Sequence, residues 1–413
     1  MSAENDPIVG ARVLVVGINY APETTGIAPY TTAVAEHLAS LGAEVTVVAG
    51  MPHYPQWRVD EGYRSALLRE ENVNGVRLRR ARHYVPARQD ALRRGLFEVS
   101  WLPLGLVNVS RVRPDVVLAV SPSLSALPLA RAAASVRGVP MAVVVQDLMG
   151  NAAANGGVRG GGRVSAVVGA VESRFLRSAD LVGVIGEGFG GAVRQMGVRE
   201  DRIRLLPNWA HVTRSSATVV EARERLGWRQ DVFTVVHTGN MGLKQGLDNV
   251  VAAAAAADRR GLKVEFALVG DGSQRATLQS LATGVRSLRF VDPVDEETYP
   301  LVLAAADALL VNERADMVEM SLPSKLTSYL SAGRPVLAAV PPNGWTAAVL
   351  DASAAAVRVA PEAPEALLDA ATQLADDEVR RDRLSAAALA YSQSRYGAEA
   401  ALGRYADVVR ELL

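Results

Sequence analysis

The sequence predicts an α/β protein of two Rossmann-like domains facing across a cleft, and three observations predict it. Short apolar runs alternate with helical stretches, the rhythm of parallel strands joined by crossover helices. The strand, glycine-containing loop and helix that open the chain recur near residue 233. Between the two series lies Ala210–Val220, a polar stretch rich in Ser and Thr that reads as a linker.

The elements follow in order. Arg12–Gly17 (RVLVVG) is a continuous apolar run, as a strand buried on both faces requires. A loop, Ile18–Pro29, leads to a helix over about Tyr30–Leu41, stopped by Gly42. Further strands are expected at Glu44–Ala49, Val76–Arg80, Val116–Val120, Met141–Val145 and Leu181–Ile185. The rhythm breaks near Ile203–Trp209 and restarts with Phe233–His237, the loop Thr238–Gly246 and a helix from about Leu247 to Ala257. Glu265–Val269 runs into Gly270-Asp271-Gly272, and strands near Leu288–Val291, Ala308–Val311 and Val336–Ala339 follow. The domains are therefore placed at 1–206 and 207–394, with a last helix over about 395–413 crossing back to the first. Ligands of such sheets sit beyond the carboxyl ends of the strands.

Composition excludes several classes. Basic and acidic residues balance at 44 each, against a nucleic-acid binder that relies on bulk charge. Cysteine is absent, which removes disulfide frameworks and thiolate metal sites. The five histidines are scattered and no Asp-X-Asp closes a strand, so no metal is expected in catalysis and no cofactor beyond a co-substrate. No apolar run reaches the ~18 residues that span a bilayer. Met1–Gly10 is acidic and polar, unlike a signal peptide, and a cytoplasmic location is expected, with the inner face of the membrane as an option. Of the 44 basic residues only Lys244, Lys263 and Lys325 are lysines, leaving 41 arginines, the bias of a GC-rich genome. Two of those scarce lysines lie in glycine- or proline-containing loops.

Those loops carry the chemistry. In Thr238–Gly246 (TGNMGLKQG), Gly239 and Gly242 let backbone approach a ligand, Asn240 and Met241 lie between them, and the following helix N-terminus favours an anion. Lys244 adds a point charge suited to phosphate. An ordinary strand–helix turn with a solvated lysine has the same composition. Gly270-Asp271-Gly272 is a weaker signal of the same kind. Pro323-Ser324-Lys325-Leu326 opens an apolar helix, with Ser324 as its cap and its free amides facing an anion. Three anion-friendly loops in one half favour a diphosphate site over three coincidental turns.

The first half offers an acceptor side. Gly26-Ile27 precedes a helix. His53, Tyr54 and Trp57 in MPHYPQW bring rings suited to stacking on a sugar, or to packing their own turn. Asp147 follows the Met141–Val145 strand and is placed near the cleft. Arg88–Arg113 mixes arginines with Leu92, Leu96, Phe97, Trp101, Leu102 and Leu104. It suits either an amphipathic helix on the core or a peripheral membrane contact.

Taken in order, GINYAPETTGIAPYT, PHYPQW, VQDL, LPNW, TGNMGLKQGL, LVGDG and LPSKLTSYLSAGRPV resemble the retaining glycosyltransferases of family 4, of GT-B fold, in their colanic-acid and capsule-type branch. The resemblance covers nearly the whole chain. It implies that the C-terminal domain binds a nucleotide-diphosphate sugar, UDP-linked by preference and GDP-linked otherwise. The N-terminal domain would bind a carbohydrate, lipid-linked or small-molecule acceptor. Lys244 matches the family's diphosphate lysine, with Asn240 where an arginine is common, and the Pro323–Lys325 loop would contact diphosphate and sugar. Two family glutamates eight positions apart fall, counted back from Gly333, on Met320 and Ser328; Glu319 is one residue off register and is the candidate substitute. The implied reaction retains anomeric configuration. The leaving diphosphate takes the acceptor's proton on the same face of the sugar, while Lys244 and Lys325 stabilise its charge and Asp147 orients a sugar. The implied setting is polysaccharide, glycolipid or, with GC-rich bias, antibiotic biosynthesis. A fold that kept nucleotide-sugar binding but lost catalysis, and another GT-B enzyme such as an epimerase, are the alternatives.

Overall fold

The computed structural model describes residues 6–24, 26–87, 91–148, 161–209, 214–316 and 324–413. Backbone contacts divide the chain into two units, Met1–Asn208 with Glu399–Leu413, and Trp209–Ala398.

The first unit holds strands β1 (Arg12–Val16), β2 (Glu44–Gly50), β3 (Leu68–Val73), β4 (Val76–Ala81), β5 (Val116–Ser121), β6 (Met141–Val145), β7 (Leu181–Val184) and β8 (Ile203–Leu205). They form one sheet in the order β3-β4-β2-β1-β5-β6-β7-β8. All its pairs are parallel except β3 with β4, a hairpin closed through Asn74-Gly75 with both residues at positive φ. Helices α1 (Ala28–Ser40), α2 (Ala91–Ser110), α3 (Ala126–Arg137), α4 (Gly161–Ser178) and α5 (Glu187–Gln195) connect the strands. Both faces of the central strands are covered, and β5 and β6 are buried at every position. Leu14, Val16 and Val48 pack with Phe97 and Trp101 of α2 and with α3 in one core.

The second unit holds β9 (Phe233–Thr238), β10 (Val264–Val269), β11 (Leu288–Val291), β12 (Ala308–Asn312), β13 (Val336–Ala339) and β14 (Ala356–Val359). Their order is β11-β10-β9-β12-β13-β14, all parallel. That is the doubly wound arrangement in which the strand order reverses between the first strand, β9, and the fourth, β12, which lie side by side at the centre. Its helices are α6 (Val219–Leu226), α7 (Asp248–Arg260), α8 (Arg275–Leu281), α9 (Tyr299–Ala305), α10 (Ser324–Ala332), α11 (Trp345–Ser353), α12 (Pro364–Asp376) and α13 (Glu378–Tyr396). Two apolar layers flank the sheet, one built with α9, α10 and α11, the other with α7 and α12. Arg223 of α6 is buried and donates to the carbonyls of Ala305 (2.9 Å) and Val232 (3.1 Å) and to Asp307, whose carboxylate also accepts the Thr234 amide at 2.7 Å.

The last helix, α14 (Ala398–Leu412), belongs to the first unit for all but its first residue. Its Arg410 pairs with Asp6 (2.7 Å) and its Glu411 with Arg204. Tyr405 lines a small cavity with Tyr30, Thr31 and Gln146. Three strands lie outside the sequence expectation. β3 (LREENV) has little apolar content because it is an exposed edge, while β8 and β14 are short and only half-buried.

Candidate functional site

In a doubly wound sheet the crevice at the crossing point receives the ligand. In the second unit that point lies between the carboxyl ends of β9 and β12, and both lysine loops are tied there. Asn312, the last residue of β12, donates its side-chain amide to the carbonyls of Gln245 (2.7 Å) and Gly246 (2.9 Å). Its own oxygen accepts the Asn249 amide at 2.9 Å. The Arg314 N–H donates to the Lys244 carbonyl at 3.1 Å. The loop is thus clamped from below while the Lys244 side chain is exposed, on a single 3₁₀ turn, Leu243–Gln245.

Lys325, the second residue of α10, lies 81 residues beyond Lys244, yet its Nζ is 3.4 Å from His237 Nε2, one residue short of the end of β9. His237 is fully buried. Burial, and then the charge of Lys325, holds its imidazole well below the ordinary histidine range, so it stays neutral and accepts from the ammonium. The Lys244 loop, which follows β9, and Lys325 of α10 therefore lie at one strand end.

Backbone geometry changes the meaning of some glycines. Gly270 has φ +134°, and a Cβ there would lie 2.1 Å from the Gly239 carbonyl oxygen. A Cβ on Gly272 would lie 2.6 Å from Met241 backbone and from the Asn240 side chain. Met241 N–H donates to the Asp271 carbonyl and Gln274 N–H to the Met241 carbonyl, at 2.8 and 2.9 Å. Gly270 and Gly272 thus allow two loops to stack on each other. Gly239, Asn240 and Asp271 remain exposed at the surface of that stack. Met241 and Leu326 are core side chains, so only their backbone can face a ligand. Ser324 begins α10, and Glu319, Met320 and Pro323 lie outside the described residues.

Ser328, at the second glutamate position, is buried and bonded to Tyr299. Tyr299 Oη lies 3.0 Å from Thr238 Oγ1, which is 3.1 Å from Tyr329 Oη, and Tyr329 accepts the Thr238 amide at 2.8 Å. A chain of four hydroxyls stands where a carboxylate was looked for. Sequence reasoning missed His237, Tyr299 and Tyr329, because nothing in their local sequence shows the partners that folding brings to them.

The first unit builds a second loop cluster at the carboxyl ends of β1 and β2. Its missed centre is Glu23, buried, accepting the amides of His53 (2.8 Å) and Tyr54 (2.9 Å) and the Asn19 side chain (2.8 Å). His53 is 2% exposed, its Nδ1 3.0 Å from the Met51 carbonyl and 3.2 Å from Glu23, its ring against His83 and Phe97. His53, expected to stack on an acceptor, instead holds the loop from within. Tyr54 and Trp57 stay half-exposed, Trp57 at φ +51° with the Arg94 guanidinium 5.0 Å from its ring centre. Gly26 sits at φ +67°, where a side chain is strained and a Cβ would press on the Tyr54 ring at 3.2 Å, and the half-exposed Ile27 caps α1. Asp147 is exposed just past β6, its Oδ1 accepting the Leu148 amide at 2.8 Å. The described residues contain no group of three acidic or histidine side chains able to hold a metal ion.

Comparison with known proteins fits this arrangement. Residues 25–209 match a family model described as a glycosyl transferase 4-like domain, and residues 232–377 one described as glycosyl transferases group 1. WcaI of Escherichia coli (strain K12), described as a colanic acid biosynthesis glycosyl transferase, is 34% identical over 337 residues, 78% of this chain and 81% of its own. Sucrose-phosphate synthase from Thermosynechococcus elongatus superposes with a TM-score of 0.75 at 16% identity, covering 97% of this chain and 99% of that one. Anabaena HepE in complex with UDP does so at 0.72 and 15%, covering 97% and 100%. The fold is GT-B and the activity is glycosyl transfer. The chain belongs to the family 4 glycosyltransferases.

Proposed function

We propose that the chain transfers a sugar, with retention of configuration, from a nucleotide-diphosphate sugar to a hydroxyl of a polysaccharide, glycolipid or natural-product acceptor in the cytoplasm. The donor is a UDP-sugar in preference to a GDP-sugar. The observation that carries the reading is that Lys325 of α10 lies 3.4 Å from His237 at the end of β9, the strand that leads into the Lys244 loop. HepE, which shares the fold, is known with UDP, and WcaI is described in terms of polysaccharide synthesis, which supports donor and acceptor in turn.

Lys244 and Lys325, with the backbone amides of Gly239–Gly242 and the start of α10, would hold the diphosphate and stabilise charge as it leaves. No metal is required in this reading, since two ammonium groups supply the positive charge. Donor contacts from Asn240, Asp271, Ser324 and Glu319, and the Tyr299–Ser328 hydroxyls in place of the second glutamate, complete the donor side. Asp147, Tyr54, Trp57 and Gly26-Ile27 serve the acceptor side.

A melting-temperature panel of UDP, GDP, dTDP and ADP, followed by a transfer assay with the matching sugar and NMR of the product anomer, tests this. One diphosphate should stabilise the protein by about 2.7 kcal/mol at a hundred times its Kd. EDTA should leave turnover unchanged; a requirement for added Mg²⁺ or Mn²⁺, or an inverted product, would contradict the reading. The places held by Met320 and Ser328 favour one second reading, a binder without turnover. Donor binding with neither transfer nor hydrolysis would select it.

A further inference from the structure

Helix α2 carries large apolar residues on both its inward and its outward face. Its inward face carries Glu98 and Asn108 beside Phe97, Trp101 and Val109, and Glu98 is buried against Ser123 and Ser125 (3.0 and 2.7 Å). Its outward face carries Leu92 (74% exposed), Leu96, Val99 (61%), Pro103, Leu106 and Val107, at spacings that keep one helical stripe. Of the sixteen exposed large hydrophobic residues among those described, five lie on this helix. Exposed apolar stripes of this extent mark an interaction surface.

The surroundings say what covers it. Leu14, Val16 and Val48 share a sheet face with α2, so by strand alternation Arg12, Glu44 and Thr46 lie on the same face, beyond the end of the helix. There a recess of about 550 Å³ is lined by Arg12, Arg77, Arg79, Arg111 and Arg113 against Glu44. Asp115 pairs with Arg12, and Glu70 with Arg77 and Arg79. Among the described residues neither Arg111 nor Arg113 has a carboxylate partner, so the recess keeps a positive balance. At the other end Arg93 and Arg94 follow Leu92, Arg94 lying over the Trp57 and Phe97 rings.

We propose that α2 and this arginine recess dock the first unit on an anionic lipid bilayer, the leucine–valine stripe entering the interface and the arginines meeting headgroup phosphates. A helix of this kind lies in the interface plane, and basic residues beside it give preference for anionic lipid. None of these residues belongs to the donor loops, so the test does not depend on the donor assignment.

The test is flotation of the full chain with vesicles of phosphatidylcholine alone or with 30% phosphatidylglycerol. The wild type should bind the anionic vesicles at least tenfold more than the neutral ones, and less as salt rises. Leu96→Ser/Val99→Ser/Leu106→Ser should lose at least tenfold in binding, and Arg111→Gln/Arg113→Gln should lose the anionic preference, both with unchanged UDP binding. Leu96→Trp in an otherwise wild-type chain should shift its emission to the blue with anionic vesicles. No binding to anionic vesicles, equal binding by the serine variant, or a dimer in sedimentation that the serine variant dissolves would each overturn the proposal.

Discussion

Lys244 and Lys325 stood out because lysine is almost absent from the chain, and the structure brings their loops to one strand end. Removing a charge that acts only on a departing diphosphate costs on the order of 3 to 4 kcal/mol in the transition state. Lys244→Ala and Lys325→Ala should therefore each lower kcat/KM by about 10²–10³-fold while circular dichroism stays unchanged; near-wild-type rates in both would remove them from the reaction. The histidines make a prediction of a different kind. His53, His83 and His237 are held below the ordinary histidine range chiefly by burial, His83 at about 3. The unfolded chain then binds protons that the folded chain refuses. Stability is full above about pH 6.5 and is lost as pH falls from there toward the folded values, at about 1.4 kcal/mol per pH unit for each histidine. His83→Leu should flatten the slope of unfolding free energy between pH 6 and 4 by roughly that amount, a window above that of the depressed carboxylates. An unchanged slope would show that His83 takes up its proton in the folded state. The lysines could be found by rarity and loop context. Glu23 and His237 could not, because the backbone amides and the lysine they meet are brought to them only by folding.

At the scale of elements, apolar runs located the buried parallel strands, because full burial demands unbroken hydrophobic sequence. The edge strand β3 escaped because its faces are wet and its sequence polar. The glycine loops were recognised as close-approach sites, but sequence could not say what approaches. For Gly270 and Gly272 the structure answers that it is the neighbouring loop. Gly270→Ala should destabilise the second unit by about 3 kcal/mol in urea denaturation, since the new methyl meets the Gly239 carbonyl and a φ of +134°. A loss below about 1 kcal/mol would mean that the two loops separate at little cost. Thr218 caps α6 in a capping box with Glu221, each side chain bonded to the other's backbone. Thr218→Ala should cost about 1 kcal/mol by the same measurement, with donor binding untouched.

At the scale of the whole molecule, the restart of the strand pattern showed two domains, and the polar stretch at 210–220 showed where to part them. The return of α14 to the first unit rests on Arg410–Asp6, Arg204–Glu411 and the burial of Tyr405, pairings between distant positions that composition does not encode. What remains open to experiment is whether the second unit grips a diphosphate through its two lysine loops. The most direct measurement is calorimetric titration of UDP and of uridine (GDP and guanosine if the melting panel selects that base) into the wild type, Lys244→Ala and Lys325→Ala. The account predicts that UDP binds the wild type at least tenfold more tightly than uridine, and that each variant loses most of that advantage while binding uridine as before. Equal affinity for UDP and uridine, or variants that bind UDP like the wild type, would contradict it.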